Sequence, residues 1–308
     1  MSTVRPITIR RREVGPNLWL DRPAEDQLAR LATYELHPEI IESEEAVGRA
    51  MLAELESLAS AKTGDLVIIL LGGRGAQALH RLLGERARAG DSDGLISRLC
   101  VFTQDALAPM RMANSFSFVR DFERLLGPEF FQRVKSFTPI STDVADIDAE
   151  LVAYADKLEA LGGIDMFFLG HGPEPDSASH LAYIRPGSGA TAASIAGIIP
   201  IASSVLEHHI TKFKVGGSAT NAEDEAECRR AANILTLGPA VILSAKRIVQ
   251  SIVDADTAPA KRASYRRVRE TTIADDTDER ARQLDENPGL WIRLHPNVRS
   301  LILPNVLS

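Results

Sequence analysis

Unbroken apolar runs alternate with amphipathic segments along this chain. In "DLVIILLGGRG" (65–75) the residues from Leu66 to Leu71 are all apolar, and the run then breaks into glycines. A strand buried on both faces gives such a run, whereas a half-exposed strand alternates. "SRLCVFTQD" (97–105), "IDMFFLG" (164–170), "ANILTLG" (232–238) and "RIVQSIVDA" (247–255) repeat the pattern. Helical segments separate them. "SEEAVGRAMLAELESLASAKTG" (43–64) has Ser43 as a cap, early glutamates and a closing Gly64. "AQALHRLLGERARAG", "SFSFVRDFERLLG", "EFFQRVKSF", "DIDAELVAYADKLEALGG" and the short "PAVILSAK" also read as helices, and "APAKRASYRRVRE" reads as a basic one. Near the start, "TIRRREV" reads as an edge strand and "AEDQLARLATYEL" as a short helix. "LWIRLHP" and "RSLILP" close the chain. The expected class is therefore α/β: a Rossmann-like, mostly parallel sheet flanked by helices. One domain is expected over residues 1–308, with 1–42 a peripheral extension.

In open α/β sheets ligands sit beyond the carboxyl ends of the strands. Three polar loops fall there: 72–75, 103–106 and 169–187. Gly72, Gly73 and Gly75 let backbone N–H groups approach an anion at a helix start, and Arg74 can add a bidentate contact. No GK[ST] follows, so this is not a Walker motif. A tight turn explains the same glycines without any ligand. Asp105 ends its apolar run, where a carboxylate serves either as general base or as turn residue. "LGHGPEPDSASHLAYIRPG" (169–187) holds Gly170, Gly172, Asp176, His180 and Arg185. A histidine there can move protons near neutral pH. His171, Glu174, Asp176 and His180 match no standard metal spacing and no thiolate joins them, so no metal is expected. His208 and His209 are adjacent and are expected at the surface. "KRASYRRVRE" is expected to be a solvated helix face, with a phosphate lid as the other reading.

Composition narrows the partners. The 308 residues carry 35 basic and 42 acidic side chains, a net charge of −7, which argues against nucleic acid as the main partner. Hydrophobic residues make up 44%, enough for a substantial core. The two cysteines, Cys100 and Cys228, have neither zinc nor redox spacing, and Cys100 sits in an apolar run. The first residues lack a signal peptide's apolar centre, and no run approaches the roughly 20 residues of a membrane span. A cytoplasmic protein without membrane partners is expected.

In order, "LLGGRG", "VFTQDALAPMRMANSFSFVRDF", "FFLGHGPEPDSASHLAYIRPG", "NILTLG" and "LWIRLHPNVRSLIL" resemble the glucosamine-6-phosphate deaminase/6-phosphogluconolactonase family over about residues 45–303. The last segment is similar to the deaminases' closing strand, and "HLAYIRPG" to the His-centred segment of both branches. The resemblance implies a small anionic sugar or sugar phosphate as ligand and no cofactor. It also implies homo-oligomers, although no interface is evident. It places Gly72, Gly73 and Arg74 in the phosphate loop. Asp105 is implied to be the base that moves a proton between sugar carbons. His180 is implied to open the sugar ring, or to act as base in lactone hydrolysis.

Several positions depart from the family. Arg74 stands where Ser or Thr is usual, and Ala106 replaces an acid. "AS" replaces the Asp-Gly before His180, Arg185 replaces a glutamate, and Ala232 replaces a lysine. Asp176 is the carboxylate expected to serve His180 from a displaced position. Arg185, left beside the histidine, is expected to oppose its protonation and to welcome an anion. The expected activity is sugar-phosphate isomerisation or deamination by proton transfer. Lactone hydrolysis and non-catalytic sugar-phosphate binding are the other readings.

Overall fold

The computed structural model describes residues 9–23, 27–215 and 217–308. The strands in chain order are β1 (Arg10–Val14), β2 (Asn17–Asp21), β3 (Glu39–Ile40), β4 (Leu66–Leu70), β5 (Leu99–Thr103), β6 (Asp105–Ala108), β7 (Ser136–Thr138), β8 (Met166–Leu169), β9 (Gly172–Pro173), β10 (Ser179–His180), β11 (Ser194–Pro200), β12 (Asn233–Leu237), β13 (Ile248–Ile252) and β14 (Val298–Ile302). The helices are α1 (Glu44–Ala61), α2 (Arg74–Arg88), α3 (Phe118–Leu126), α4 (Pro128–Arg133), α5 (Ile147–Ala160), α6 (Ser203–Val215), α7 (Ala222–Cys228), α8 (Pro239–Ser244), α9 (Ala260–Glu270) and α10 (Thr277–Glu286). The class is α/β, with a Rossmann-like parallel sheet flanked by helices.

Among the described residues that sheet has seven strands in the order β3-β14-β13-β8-β4-β5-β7, all parallel. Because side chains alternate between its faces, each apolar run feeds two cores at once. Val67, Ile69, Phe102, Phe167 and Leu169 point into one core, shared with α5 and with a second sheet. Leu66, Ile68, Leu70, Val101 and Phe168 point into the other, filled by α1, α2 and α3. Both cysteines are buried. The Ser43 hydroxyl caps α1 by accepting from the Ala46 N–H at 3.1 Å.

The second sheet is where sequence and structure differ most. Among the described residues it has five strands, β1-β2-β11-β12-β6, all antiparallel. "ANILTLG" belongs to it, not to the parallel sheet, because an apolar run marks burial on both faces and not strand direction. Residues 1–42, expected to be peripheral, are integrated as far as they are described. β2 is an inner strand, and the fully buried Trp19 donates its indole N–H to the Ser188 carbonyl at 2.7 Å. β1 is the expected edge strand. Of the expected helix at 24–36, part lies outside the described residues, and the rest forms only a 3₁₀ turn, Leu28–Arg30. Of "LWIRLHP", Leu290 to Leu294 is also 3₁₀, the end of Pro288–Leu294, and only β14 closes the chain as strand.

From β4 the chain moves to β5 and β7 on one side, then returns to β8 on the other side of β4. Such a reversal opens a crevice at the strands' carboxyl ends, the usual ligand position in open α/β sheets. The loops after β4, β5, β8 and β13 meet there.

Candidate active site

The loop after β4 turns at Gly73, whose φ of +82° suits glycine and caps α2. It is tied to β13: the Ser251 hydroxyl donates to the Gly75 carbonyl at 2.7 Å. Arg74 begins α2 and pairs with Glu44 of α1, which raises its pKa further. The guanidinium is thus already engaged in the free protein.

β5 ends at Thr103, and Asp105 starts β6 instead of ending the run. Between them the chain passes from the parallel to the antiparallel sheet. Asp105 is 3% exposed and accepts one hydrogen bond, from Gln104 Nε2 at 2.5 Å. Apolar Met110, Phe118 and Ile140 line the small cavity beside it. Burial raises its pKa to about 7, with Gln104 opposing. A carboxyl group poised there can take and return a proton at neutral pH.

The loop after β8 folds into the short β9–β10 ladder, with His180 facing Gly172. The imidazole lies across Gly172 so closely that a Cβ there would fall 1.7 Å from Nε2. On another side the ring stacks on Tyr183, with centroids 5.2 Å apart and planes 11° apart. Ala182 and Tyr183 both have positive φ, +49° and +62°. Such backbone conformations are costly for non-glycine residues and need surrounding contacts to hold them. Two bonds between Leu181 and Ile184 close the turn, and the Thr236 hydroxyl donates to the Ala182 carbonyl. Thr236 of β12 is the register partner of Asp105 on β6, so one ladder anchors both sides of the site.

Asp176 is exposed, at φ +58°, and does not pair with His180. Glu174 takes the place expected for it. Its Oε1 lies 3.0 Å from His180 Nδ1, and Arg185 grips both carboxylate oxygens at 3.1 and 3.0 Å. Burial would raise the Glu174 pKa, but His180 and Arg185 overrule it and hold the value at about 2. The ionised carboxylate only accepts, so Nδ1 carries the hydrogen, and in the neutral ring this leaves Nε2 as the acceptor. Arg185 is therefore a partner of Glu174 and not an uncompensated charge opposing the histidine. Glu174 was legible only as a loop acid, because the bend that turns it back six residues before His180 leaves no sequence signature.

The remaining loop residues separate by role. His171 is buried, its Nε2 2.8 Å from Ser264 Oγ, and burial together with Lys261 lowers its pKa to about 3. It ties the loop to α9 as a neutral group. Gly170 packs near Leu71, where a Cβ would fall at 3.1 Å. α9 is not simply a solvated face. Tyr265 and Ser264 are buried, and Lys261 in its first turn reaches Asp254 at 2.5 Å. Lys261 was hidden among basic residues whose spacing does not say which one turns inward. His209 is buried, contrary to the surface position expected, with Nε2 2.7 Å from the Phe116 carbonyl oxygen.

Among the described residues no helix is long and apolar enough to cross a membrane. No family model matches the sequence, and a search of curated proteins found no match. Solved structures do resemble it. A glucosamine-6-phosphate deaminase described as monomeric and as the missing link of the NagB superfamily superposes with a TM-score of 0.63 at 18% identity, over 88% of this chain and 98% of that one. The 6-phosphogluconolactonase of Trypanosoma cruzi gives 0.60 at 14% identity, over 90% and 97%. That of Thermotoga maritima gives 0.57 at 13%, over 86% and 97%. At such identities the likeness speaks for architecture, and the chain has the fold common to these deaminase and lactonase structures.

Proposed function

We propose that the protein acts on a phosphorylated sugar by moving a proton between adjacent carbons, as an aldose–ketose isomerase or a deaminase of that type. The observation that carries this reading is a pair of acid–base groups tied to one strand: Thr236 is the register partner of Asp105 and also holds the Ala182 turn that follows His180. Asp105 is desolvated with a pKa near 7, and His180 is oriented by an ionised Glu174. His180 Nε2 takes the proton of the anomeric hydroxyl and delivers one to the ring oxygen as the ring opens. Asp105, ionised, removes the proton from the carbon beside the carbonyl and returns it to the carbonyl carbon. No electrons leave the substrate, so the chemistry needs no redox cofactor. The Gly72–Gly73 backbone and Lys261 hold the phosphate, and Arg74 does so once released from Glu44.

Lactone hydrolysis is the second reading. The His180–Glu174 pair favours it, since the same free Nε2 could activate water. Asp105 separates the two. Phosphorylated aldoses, ketoses, amino sugars and lactones are incubated with wild type and Asp105→Asn in deuterated water. Deuterium entering the carbon beside the carbonyl with wild type only is the expected result. Lactone hydrolysis without such exchange moves the protein to the second reading. Ligand-induced thermal stabilisation with neither reaction sinks both and leaves a binding protein.

A further inference from the structure

The segment from α9 to the end of α10 stands outside the chemistry above, yet it grips the His180 loop from two sides. On one side, Arg267 of α9 donates from Nη1 to the Asp176 carbonyl at 2.9 Å. Asp176 and Ser177 have positive φ, +58° and +59°, so that bend needs outside contacts to hold it. On the other side, Asn287, just after α10, accepts at Oδ1 from the Ser179 N–H at 2.8 Å and from the Ser179 hydroxyl at 2.6 Å. Ser179 is buried and immediately precedes His180. Asp285, in the last turn of α10, accepts from the Gly187 N–H at its carbonyl and from the Gly189 N–H at its carboxylate, at 3.0 and 2.8 Å.

Between α9 and α10 lies an open cleft of about 150 Å³. None of its lining residues takes part in the acid–base chemistry. Arg267, Arg282, Glu286, Asn287 and Leu290 give it its character. Arg282 is already neutralised by Glu279 and Glu286. Arg267 has no carboxylate partner among the described residues, and its bond to Asp176 uses Nη1 alone. The Nε–Nη2 edge is left, two parallel donors spaced for one carboxylate. Asn287 adds a further donor. It is 2% exposed, and its Nδ2 has no hydrogen-bond partner among the described residues. A buried N–H left unmet costs stability, so it calls for a partner from outside the chain. Glu286 on the same wall opposes a dianion, whereas a single negative charge suits the one unpaired guanidinium. Leu290 offers an apolar surface to a short hydrocarbon chain.

We propose that this cleft is a second ligand site, taking a small organic monocarboxylate, and that its occupation is transmitted to His180. The carboxylate bridges Arg267 and Asn287, the two side chains that hold Asp176 and Ser179 on the bend leading into His180. Binding therefore fixes that bend, and with it the imidazole, from a place where no reacting atom sits.

The test is an NMR titration of the full-length protein with butyrate, following the Asn287 side-chain amide and the His180 ring nitrogens. It is repeated for Arg267→Met, Arg267→Lys and Arg266→Met. Arg266 is the control, exposed on the same helix and not lining the cleft. Circular dichroism checks that each variant is folded. Both signals should move together and saturate in wild type and in Arg266→Met. Losing the charge-assisted pair should weaken binding by about tenfold or more in Arg267→Met, and Arg267→Lys, which keeps the charge without the fork, should fall between. An Asn287 amide that ignores butyrate, or responds equally in Arg267→Met, overturns the site. A response at Asn287 with His180 unmoved overturns the transmission. Inorganic phosphate that moves the Asn287 amide as strongly as butyrate overturns the choice of a monocarboxylate. The isomerase reading fails separately: absent carbon-bound exchange removes it and leaves the cleft as it is.

Discussion

Asp105 and Glu174 are both buried carboxyl groups, and their surroundings drive their pKa values apart. Asp105 has one neutral donor, Gln104, and an apolar cavity wall, so desolvation dominates and its pKa rises to about 7. Glu174 is buried as well but meets His180 and Arg185, which hold it near 2. Burial alone therefore does not set the charge of a carboxyl group. Its partners do, and a pair pushed in opposite directions marks an acid–base assignment.

The most severe way to break the contrast is Asp105→Asn. If Asp105 is the base, proton exchange should fall by about 10²–10⁴-fold. Stability should move the other way. The folded pKa is raised, so the stability Asp105 contributes is full below about pH 4 and is lost as pH rises through 7. Three units correspond to at most about 4 kcal/mol, which the asparagine variant regains at pH 8. Urea unfolding at pH 5 and pH 8 measures the slope. A variant no more stable than wild type at pH 8 would refute the desolvated carboxylate.

Glu174→Gln attacks the other partner. It leaves His180 without an ionised acceptor and Arg185 without its counter-ion. Turnover is expected to drop about 10–100-fold and stability by about 1–3 kcal/mol at pH 7. The sign is opposite to that of Asp105. The Glu174 pKa is depressed, so its stabilisation is present above about pH 4.5 and disappears as pH falls towards 2. Gly172→Ala sharpens the comparison by moving the histidine without changing any charge. The new methyl must push the imidazole aside, so turnover should fall while phosphate affinity stays within about twofold of wild type. A loss of phosphate binding instead would place His180 in the anion site.

The mildest test is His80, a buried titratable group that touches nothing in the crevice chemistry. It packs against Phe122 at 4.9 Å, neither ring nitrogen has a hydrogen-bond partner among the described residues, and burial lowers its pKa to about 3. His80→Leu should stabilise by about 1 kcal/mol at pH 7. The gain should grow as pH falls below 6.5, where the unfolded histidine takes up a proton that the folded one refuses. Thermal denaturation at pH 7.5 and 5.5 checks it.

The central strands could be read from their unbroken apolar runs, and the glycine loop, Asp105 and the His180 loop from polar residues at their ends. What could not be read depended on contacts between segments distant in the chain. β12 looked like one more parallel strand because its runs of Ile and Leu are the same in either direction. Asp176 looked the nearer acid to His180, but a tight bend sends it to solvent and folds Glu174 back. Lys261 sits among other basic residues, and only the packing of Tyr265 decides which face of α9 turns inward. Arg185 looked unpaired because its partner lies eleven residues earlier, across a turn.

The β1–β2 hairpin has a practical consequence. Sequence resemblance begins near residue 45, which invites removal of everything before it when a shorter chain is wanted for crystallisation or library screening. Without residues 17–21, β11 would become a bare edge with open N–H and C=O groups, and the pocket of Trp19 against Gly197 would stand empty. Bare strand edges pair with other chains. A trimmed version should therefore collect in inclusion bodies, and its inactivity in any assay would say nothing about Asp105 at the opposite edge of that sheet.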